Sequence, residues 1–325
     1  MKICHVITRL IIGGAQENTV LSCRGLAAKG HDVTLLAGPE TGPEGSLWQL
    51  ARESGAKTIE LESMRRAVRP LDDFRAYCEL IARFKELKPD VVHTHSSKAG
   101  ILGRAAAAKA AVPVIVHTIH GMSFNRTQPW LARTAYRLLE RRAARYTNKI
   151  VTVADAMIDQ AVAVGIGSRD QMVTIRSGLE LAQFAPNEQS RKAVRAEWGV
   201  ADDEMVVGTI ARLFENKGYE EIMAAMPSAL KRTPGLRFVW VGDGACRGRY
   251  ERELERLGLR DRVILVGLVP PGEVAGLLTG FDMLVHASRW EGLPRAVVQA
   301  LLTEVPAISF DNDGAPEVVL PDRTG

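Results

Sequence analysis

Short apolar runs rich in β-branched residues recur along the chain, and each is bounded by polar segments. In the first half they cover residues 3–7, 33–37, 91–93, 114–117, 150–153 and 172–175. In the second half they cover residues 206–211, 238–241, 263–266, 283–286 and 307–310. Short runs without polar alternation are typical of strands buried on both faces, as in parallel sheets.

Segments with helical periodicity lie between these runs. Residues 17–29 end at Gly30, which suits the position after a helix, and residues 71–87 stop before Pro89. Residues 131–145 form a longer amphipathic segment. Alternating strands and helices predict an α/β fold with doubly wound parallel sheets.

A polar, irregular stretch over residues 177–188 interrupts this alternation and predicts a linker. We therefore expect two Rossmann-like domains, residues 1–180 and residues 181–325, that face a cleft. A length of 325 residues agrees with two domains of ordinary size. Open α/β sheets bind ligands beyond the carboxyl ends of their strands, so the loops after the strands are the places to search.

Composition excludes several classes of protein. Apolar residues make up 46% and charged residues 25%, which excludes fibrous and disordered chains. The four cysteines lie far apart without a C-x-x-C spacing, which argues against a zinc ribbon or a disulfide framework and favours the reducing cytoplasm. No targeting segment is visible, and the apolar stretch 99–116 is interrupted by charges and a proline, so we expect no spanning helix.

Charge is unevenly distributed. Residues 1–185 carry 25 Lys and Arg against 17 Asp and Glu, whereas the remainder carries 17 against 21. Within the segment 131–145, arginines recur every four residues and form one basic stripe. With Arg65, Arg66 and Arg69 this stripe could bind anionic lipid headgroups, or it could be an ordinary solvated face. Nucleic acid is not an expected partner, because few aromatic residues lie among these charges.

Glycine and histidine motifs follow strands of the first half. Gly13 and Gly14 would let backbone N–H groups approach an anion, or they make a plain tight turn; they do not form the G-x-G-x-x-G fingerprint of a dinucleotide site. His93, His95, His117 and His120 have no acidic or cysteine partner at ligand spacing, so no metal site is expected. One histidine is expected to line the cleft and the others to be hydrogen-bonded core residues. His120 lies just past a strand end, where it contacts a substrate or serves structure.

The second half carries two further candidate motifs. Arg212 ends a strand and Lys217 follows where the next helix starts, which is a cationic cradle for a diphosphate that needs no divalent ion; the alternative is a surface ion-pair turn. Glu291 and Gly292 lie in the loop before another helix, with Pro294 in its first turn. A carboxylate there can accept hydrogen bonds from the hydroxyls of a sugar.

In this order the motifs resemble those of retaining GT-B glycosyltransferases of family 4, which act in lipopolysaccharide, capsule and exopolysaccharide assembly. The resemblance rests on Gly13-Gly14-Ala15-Gln16, the segment 95–100, His120-Gly121, Arg212 to Gly218, Val241-Gly-Asp-Gly244 and Glu291-Gly-Leu-Pro294. It covers nearly the whole chain and implies a GT-B fold.

The resemblance also implies a nucleotide-diphospho-sugar donor that is held mainly by the second domain, without a metal cofactor. The residues that would carry catalysis are His120, Glu291, Arg212 and Lys217. Donor-binding residues would be Gly13, Gly14, Gly242, Gly267, Leu268, Val269, Gly292, Leu293, Pro294 and Gln299. On the acceptor or membrane side, the residues would be His95, Lys98, Arg66, Arg133, Arg137 and Arg141, with variable loops at 39–48 and 62–70.

Two departures from the family pattern stand out. Gln299 occupies a position where the family usually has a Glu that binds the ribose, so weaker donor binding is expected. Family members continue past residue 325 with another strand and helices, so we expect the usual C-terminal end to be missing and an apolar face to be left uncovered.

The leading hypothesis is transfer of a hexose or N-acetylhexosamine to a lipid-linked or polysaccharide acceptor in cell-surface glycan synthesis. This would occur in the cytoplasm, with peripheral binding to the inner face of the membrane. A sugar-nucleotide 2-epimerase of the same architecture is one alternative. A truncated, inactive sugar-nucleotide-binding protein is another, and release of nucleoside diphosphate only with acceptor present would separate these alternatives.

Overall fold

A computed structural model describes residues 1–40, 44–125 and 127–325. The chain forms two compact units, Met1–Leu179 (unit 1) and Glu180–Gly325 (unit 2). Each unit contains one open parallel β-sheet with helices between its strands.

In the described part of unit 1, seven parallel strands form one sheet in the order β3-β2-β1-β4-β5-β6-β7. The strands are β1 (Lys2–Arg9), β2 (Asp32–Gly38), β3 (Lys57–Glu60), β4 (Val91–His95), β5 (Val114–Ile119), β6 (Lys149–Thr152) and β7 (Met172–Thr174). The helices are α1 (Gly14–Ala28), α2 (Trp48–Arg52), α3 (Pro70–Leu87), α4 (Ser97–Lys109), α5 (Trp130–Ala144) and α6 (Asp155–Ala163).

Both faces of this sheet are buried. Successive side chains of a strand point to opposite faces. Val6 of β1 accordingly packs in a cluster with Leu80 and Ala106 of α3 and α4. Its neighbour Ile7 packs in a second cluster with Val20 of α1. This two-sided burial is the reason why the strands are nearly continuous apolar runs.

In the described part of unit 2, five parallel strands form a sheet in the order β10-β9-β8-β11-β12. The strands are β8 (Met205–Ile210), β9 (Leu236–Val241), β10 (Val263–Gly267), β11 (Met283–His286) and β12 (Ala307–Ser309). The helices are α7 (Glu188–Glu197), α8 (Tyr219–Arg232), α9 (Arg247–Arg256), α10 (Val274–Thr279) and α11 (Arg295–Leu302). Tyr219, Trp240 and Tyr250 are fully buried and pack ring against ring at the centre of one face.

The predicted doubly wound, parallel α/β architecture is confirmed. Each predicted strand is present with ends within two residues of the predicted ones. The helix predicted over 17–29 begins three residues earlier, at Gly14. No helix among the described residues combines the length and apolar character needed to cross a membrane.

Candidate active site

The loops at the carboxyl edge of the unit 2 sheet pack backbone against backbone at two glycines. Gly218 has a φ of +82°, and a Cβ atom there would lie 2.0 Å from the carbonyl oxygen of Ala287. Gly242 has a φ of +133°, and its Cβ would lie 2.2 Å from the carbonyl oxygen of Ala211. Only glycine fits these positions. The loops after β8, β9 and β11 are therefore held at fixed separations.

This packing brings Lys217 and Glu291 into contact, although 74 positions separate them in the chain. The Lys217 ammonium forms an ion pair with Glu291 Oε1 and donates to Ser288 Oγ at 3.3 Å. The same Oε1 lies 3.2 Å from His286 Nε2 at the end of β11. The backbone N–H of Glu291 donates to Asp313 Oδ2 at 2.6 Å. Both the side chain and the backbone of Glu291 are thus fixed.

The charge state of Glu291 follows from these neighbours. Burial acts to raise the pKa of this carboxyl, but the nearby Lys217 ammonium and the hydrogen bond with His286 outweigh it and hold the pKa well below its usual range. Glu291 is therefore an ionised acceptor at neutral pH. With Lys217 beside it, the site presents a carboxylate acceptor next to a cation.

The remaining predicted donor-binding positions of unit 2 lie on the same carboxyl edge or just behind it. Arg212 follows β8, is partly buried and packs over the Phe214 ring at 5.1 Å. The N–H of Gly242 donates to the carbonyl of Gly267 at 2.8 Å, and Leu268 and Val269 follow directly. Gly292, Leu293 and Pro294 are buried ahead of α11, and Gln299 is buried within that helix.

Sequence reasoning did not identify three residues that support Glu291. The Glu291 side chain contacts His286, and its Lys217 partner donates to Ser288. The Glu291 backbone N–H donates to Asp313. His286 and Ser288 flank the recognised motif, but Asp313 lies 22 positions away and carries no sequence signal of its own. A histidine that ends a strand was the one available hint.

In unit 1, the predicted glycine turn lies at the start of α1. Gly13 is the residue before the helix and Gly14 is its first residue. The Gly13 carbonyl accepts from the N–H of Glu17 at 2.9 Å. A Cβ atom at position 13 would lie 2.8 Å from Gln16 Oε1, which is the end of a flexible side chain, so this contact alone does not require glycine.

The predicted histidines divide between the two faces of the unit 1 sheet. His5 lies directly opposite His93 on β1 and β4, and His95 shares their face. His117 bonds Thr94 Oγ1 at 2.9 Å and sits under Gly100 of α4. Burial lowers the pKa of all four of these histidines, with His93 reaching about 4. All four are therefore neutral at pH 7. Of the predicted group, His95 and His117 are buried, as expected for core residues, and His93 is partly buried, while His5 was not part of the prediction.

His120 follows β5 and lines a cavity of about 230 Å³. Ser96, Ser97, Phe124 and Glu140 also line this cavity. Its wall at Glu140 is fixed, because that carboxylate accepts from Ser123 Oγ at 2.8 Å and pairs with the fully buried Arg104 at 2.5 Å. The cavity offers hydroxyl, imidazole and carboxylate groups beside an aromatic ring, which suits a polyhydroxylated molecule.

Several residues predicted on the acceptor or membrane side have partners within unit 1. His95 is only 1% exposed, so its side chain contacts other histidines instead of an outer surface. Lys98 is ion-paired with Asp73. Arg141 Nε donates to the Val164 carbonyl at 2.6 Å.

The other residues of this predicted group lie nearer the solvent. Arg66 is exposed, with Nη1 3.9 Å from Glu44, while Arg133 and Arg137 are partly buried on α5. Of the predicted loop 39–48, residues 41–43 lie outside the described residues. The exposed large apolar side chains of α5 include Trp130, Leu131 and Leu138.

Comparison with known proteins identifies relatives along nearly the whole chain. A family model described as "Glycosyl transferase 4-like domain" matches residues 13–178, and one described as "Glycosyl transferases group 1" matches residues 190–325. The chain is 28% identical over 320 residues to the UDP-Gal:alpha-D-GlcNAc-diphosphoundecaprenol alpha-1,3-galactosyltransferase of Escherichia coli, covering 97% of this chain and 80% of that protein.

A second relative and two solved structures extend the comparison. The GDP-mannose-dependent alpha-(1-6)-phosphatidylinositol monomannoside mannosyltransferase of Mycolicibacterium smegmatis is 27% identical over 233 residues, which cover 70% of this chain and 58% of that protein. HepE of Anabaena, solved in complex with UDP-glucose, has a TM-score of 0.81 at 20% identity, covering 98% of this chain and 82% of that one.

WaaG, described as a glycosyltransferase involved in lipopolysaccharide biosynthesis, has a TM-score of 0.74 at 16% identity, covering 98% of this chain and 83% of that one. These likenesses confirm the predicted GT-B fold. Because the two family models together span most of the sequence, the chain belongs to the group 1 glycosyltransferases, with a glycosyltransferase 4-like N-terminal domain.

Proposed function

We propose that this chain moves a hexose or N-acetylhexosamine from a nucleoside-diphospho-sugar to a lipid-linked or polysaccharide acceptor, with retention of anomeric configuration, in cell-surface glycan synthesis. The observation that carries the proposal is the Lys217–Glu291 pair beside the Arg212 loop at the carboxyl edge of the unit 2 sheet. A cation for a phosphate and a fixed carboxylate for a sugar hydroxyl are the two groups that such a donor needs at adjacent positions.

The proposed reaction follows from the charges. The bond between the anomeric carbon and the phosphate oxygen breaks, and negative charge grows on the leaving nucleoside diphosphate, where Lys217 and Arg212 stabilise it. The acceptor hydroxyl attacks the same face of the sugar and forms the new bond. Its proton passes to the leaving phosphate oxygen, so no side-chain base is required. His120 is assigned a contact with the sugar substrate.

A sequence relative suggests the first substrate pair to test. The name of the E. coli protein specifies UDP-galactose as donor and an N-acetylglucosaminyl-diphospholipid as acceptor. We propose UDP-galactose as the first donor and that class of diphospholipid as the first acceptor. The epimerase alternative has no support among the named relatives, which are transferases.

The test is a calorimetric titration of the chain with UDP and UDP-galactose, followed by an assay of UDP release with and without acceptor. We expect binding in the micromolar range and UDP release that depends on acceptor. Arg212→Ala should weaken donor binding about tenfold or more, because a charged hydrogen bond to phosphate is lost. Arg232→Ala, an exposed arginine at the end of α8, is the matched control. Equal binding by both variants would contradict the proposal.

We further propose that transfer needs no divalent metal, because Arg212 and Lys217 supply the countercharge that a metal would supply elsewhere. Chelation by EDTA should leave the initial rate unchanged within about twofold. A required metal that neutralises the leaving diphosphate would contribute several kcal/mol, so its removal would lower the rate by far more than that. A rate that collapses with EDTA and returns with added Mg²⁺ or Mn²⁺ would refute this part.

Peripheral binding to an anionic cytoplasmic membrane is proposed for unit 1. Leu131 and Leu138 of α5 are exposed, and both lie on one stripe of the helix seven positions apart. Leu71 and Phe74 are exposed near the start of α3. Arginines lie beside both groups at positions 65, 66, 69, 133 and 137. Exposed apolar side chains bordered by cations are typical of helices that lie in a membrane interface.

A further inference from the structure

A row of three imidazole rings links the interior of unit 1 to its carboxyl edge. His5 Nδ1 lies 2.9 Å from His95 Nε2, and His95 Nδ1 lies 3.0 Å from His120 Nε2. The first two rings are buried and 90 positions apart in sequence, and the third lines the cavity described above. We propose that His5 and His95 are positioning residues that fix which nitrogen of His120 carries its proton. This inference rests on the proposed function only in giving His120 a substrate contact.

The three neutral imidazoles are joined by hydrogen bonds, so the nitrogen that carries the proton on one ring fixes which nitrogen carries it on the other two. We call each consistent arrangement of the three protons an order. A neutral imidazole has one N–H donor and one bare acceptor nitrogen. If His5 carries its proton on Nδ1, His95 must carry its own on Nδ1, and His120 then accepts at Nε2. In the opposite order, His120 donates from Nε2 and His5 carries its proton on Nε2. Burial, which lowers the pKa of His5 and His95, keeps both rings in the neutral form that this order needs.

The inner end of the row selects between the two orders. His5 Nε2 is buried, and among the described residues it has no hydrogen-bond partner. In the second order this atom would be an N–H group without an acceptor, and such orphaned buried donors are rare in native proteins. The first order leaves only a bare acceptor there. It follows that His120 accepts from His95 at Nε2 and keeps its proton on Nδ1.

A metal site is the competing explanation of the same cluster. One nitrogen from each of His5, His93 and His95 lies within 4.8 Å of the others. However, both nitrogens of His95 are used in the row, and His93 Nε2 is 2.7 Å from Thr118 Oγ1. A divalent ion would also bring two charges into a buried cluster of three neutral ligands. The hydrogen-bonded row therefore accounts for the geometry better than a metal does.

Two substitutions at His95 separate the bond to His120 from the bond to His5. The side-chain amide of Asn lies where His Nδ1 lies, so His95→Asn keeps a donor towards His120 and loses the group that faces His5. The longer Gln places its amide near the position of Nε2, so His95→Gln keeps the inner bond and loses the outer one. Both variants remove the imidazole and retain a polar group, which makes each the control of the other.

The first readout is the protonation site of His120, measured by nitrogen-15 NMR of the histidine-labelled 325-residue protein. Wild type and His95→Asn should show the proton on Nδ1, and His95→Gln should show a mixture of the two tautomers. This readout does not depend on transferase activity, so it tests the row even if the proposed function fails. A His120 proton on Nε2 in wild type, or an unchanged tautomer in His95→Gln, would overturn the proposal.

The second readout is kinetic. His95→Gln should lower kcat about fivefold to tenfold while the KM for donor stays within about twofold, because one hydrogen bond that orders a substrate-contacting group is lost. His95→Asn should retain kcat within about twofold. Equal losses in the two folded variants would refute the assignment. If the His95 variants do not fold, His5→Asn, which keeps the Nδ1-like donor, and His5→Leu, which removes it, make the same comparison on the His120 tautomer.

Discussion

Lys217 and Glu291 neutralise each other while the donor is absent. Their ion pair is only partly exposed, so neither charge is fully solvated. A phosphate that arrives must therefore compete with a carboxylate already at the ammonium, which favours ligands of higher charge over a single hydroxyl or carboxylate. A diphosphate meets that requirement.

Removal of the cation tests this account. We expect Lys217→Met to weaken donor binding about tenfold or more, because a charged contact with the phosphates is lost. The variant also leaves the Glu291 carboxylate beside His286 alone, so the pKa of Glu291 should rise towards its ordinary value. Calorimetry with UDP-galactose measures the affinity. Lys231→Met, an exposed lysine on α8, should bind as wild type does, and equal losses in both variants would contradict the prediction.

Gln299 provides a gain-of-affinity prediction. It is buried on α11, where the family usually has a Glu that binds the ribose. A charged acceptor makes a stronger hydrogen bond to a hydroxyl than a neutral amide does, so Gln299→Glu should tighten UDP binding about fivefold. The measurements are the Kd for UDP and, in a separate titration, the Kd for uridine. An unchanged or weaker Kd for both ligands would contradict this prediction.

At the scale of elements, strands and long helices follow from apolar periodicity, whereas short polar elements do not. The edge strand β3 has the sequence Lys-Thr-Ile-Glu and gives no apolar run. Its position comes from pairing with β2, which no local pattern encodes. Helix α2 is a five-residue segment, too short for a periodic signal. Tertiary packing creates both.

The same distinction applies to the candidate site. Arg212, Lys217 and Glu291 are recognisable because each follows a strand in a short motif, and topology places those loops at one edge. Asp313 and the row from His5 to His120 are not recognisable, because their contacts join distant positions. Hydrogen-bond partners of that kind are set by strand register and loop packing, which become visible only in three dimensions.

Helix α5 carries a prediction of its own. A double variant, Leu131→Gln with Leu138→Gln, should lose most binding to vesicles of anionic phospholipid, because the exposed apolar contact is removed. Leu181→Gln replaces a leucine of equal exposure in unit 2 and serves as the control. Co-sedimentation at low and high salt measures binding, and the wild-type signal should fall as salt rises. Vesicle binding that the double variant retains in full would exclude α5 from the interface.

For the molecule as a whole, buried histidines make unit 1 sensitive to acid. His5, His93, His95 and His117 have folded-state pKa values below the ordinary unfolded value of about 6.5. As pH falls below about 6.5, the unfolded chain therefore takes up protons that the folded chain excludes. The free energy of unfolding should fall by about 1.4 kcal/mol per pH unit for each such group, until pH reaches the folded pKa, about 4 for His93.

Denaturant unfolding between pH 7.5 and 4.5 tests this dependence. His117→Asn keeps a polar group near Thr94 but cannot titrate. The slope of the unfolding free energy against pH should therefore decrease by the contribution of one group, about 1.4 kcal/mol per pH unit. A stability of unit 1 that stays flat from pH 6.5 to 4.5 would contradict the expectation.

The close approach of Gly218 to Ala287 has a consequence for redesigning the enzyme. The backbone after β8 packs directly on the backbone after β11, so the conformation of each loop depends on the conformation of the other. A single loop transplanted from a relative that uses another donor would not fit against the unchanged loop beside it. We therefore expect that a graft retains the fold of this edge only when residues 211–218 and 287–294 are exchanged together.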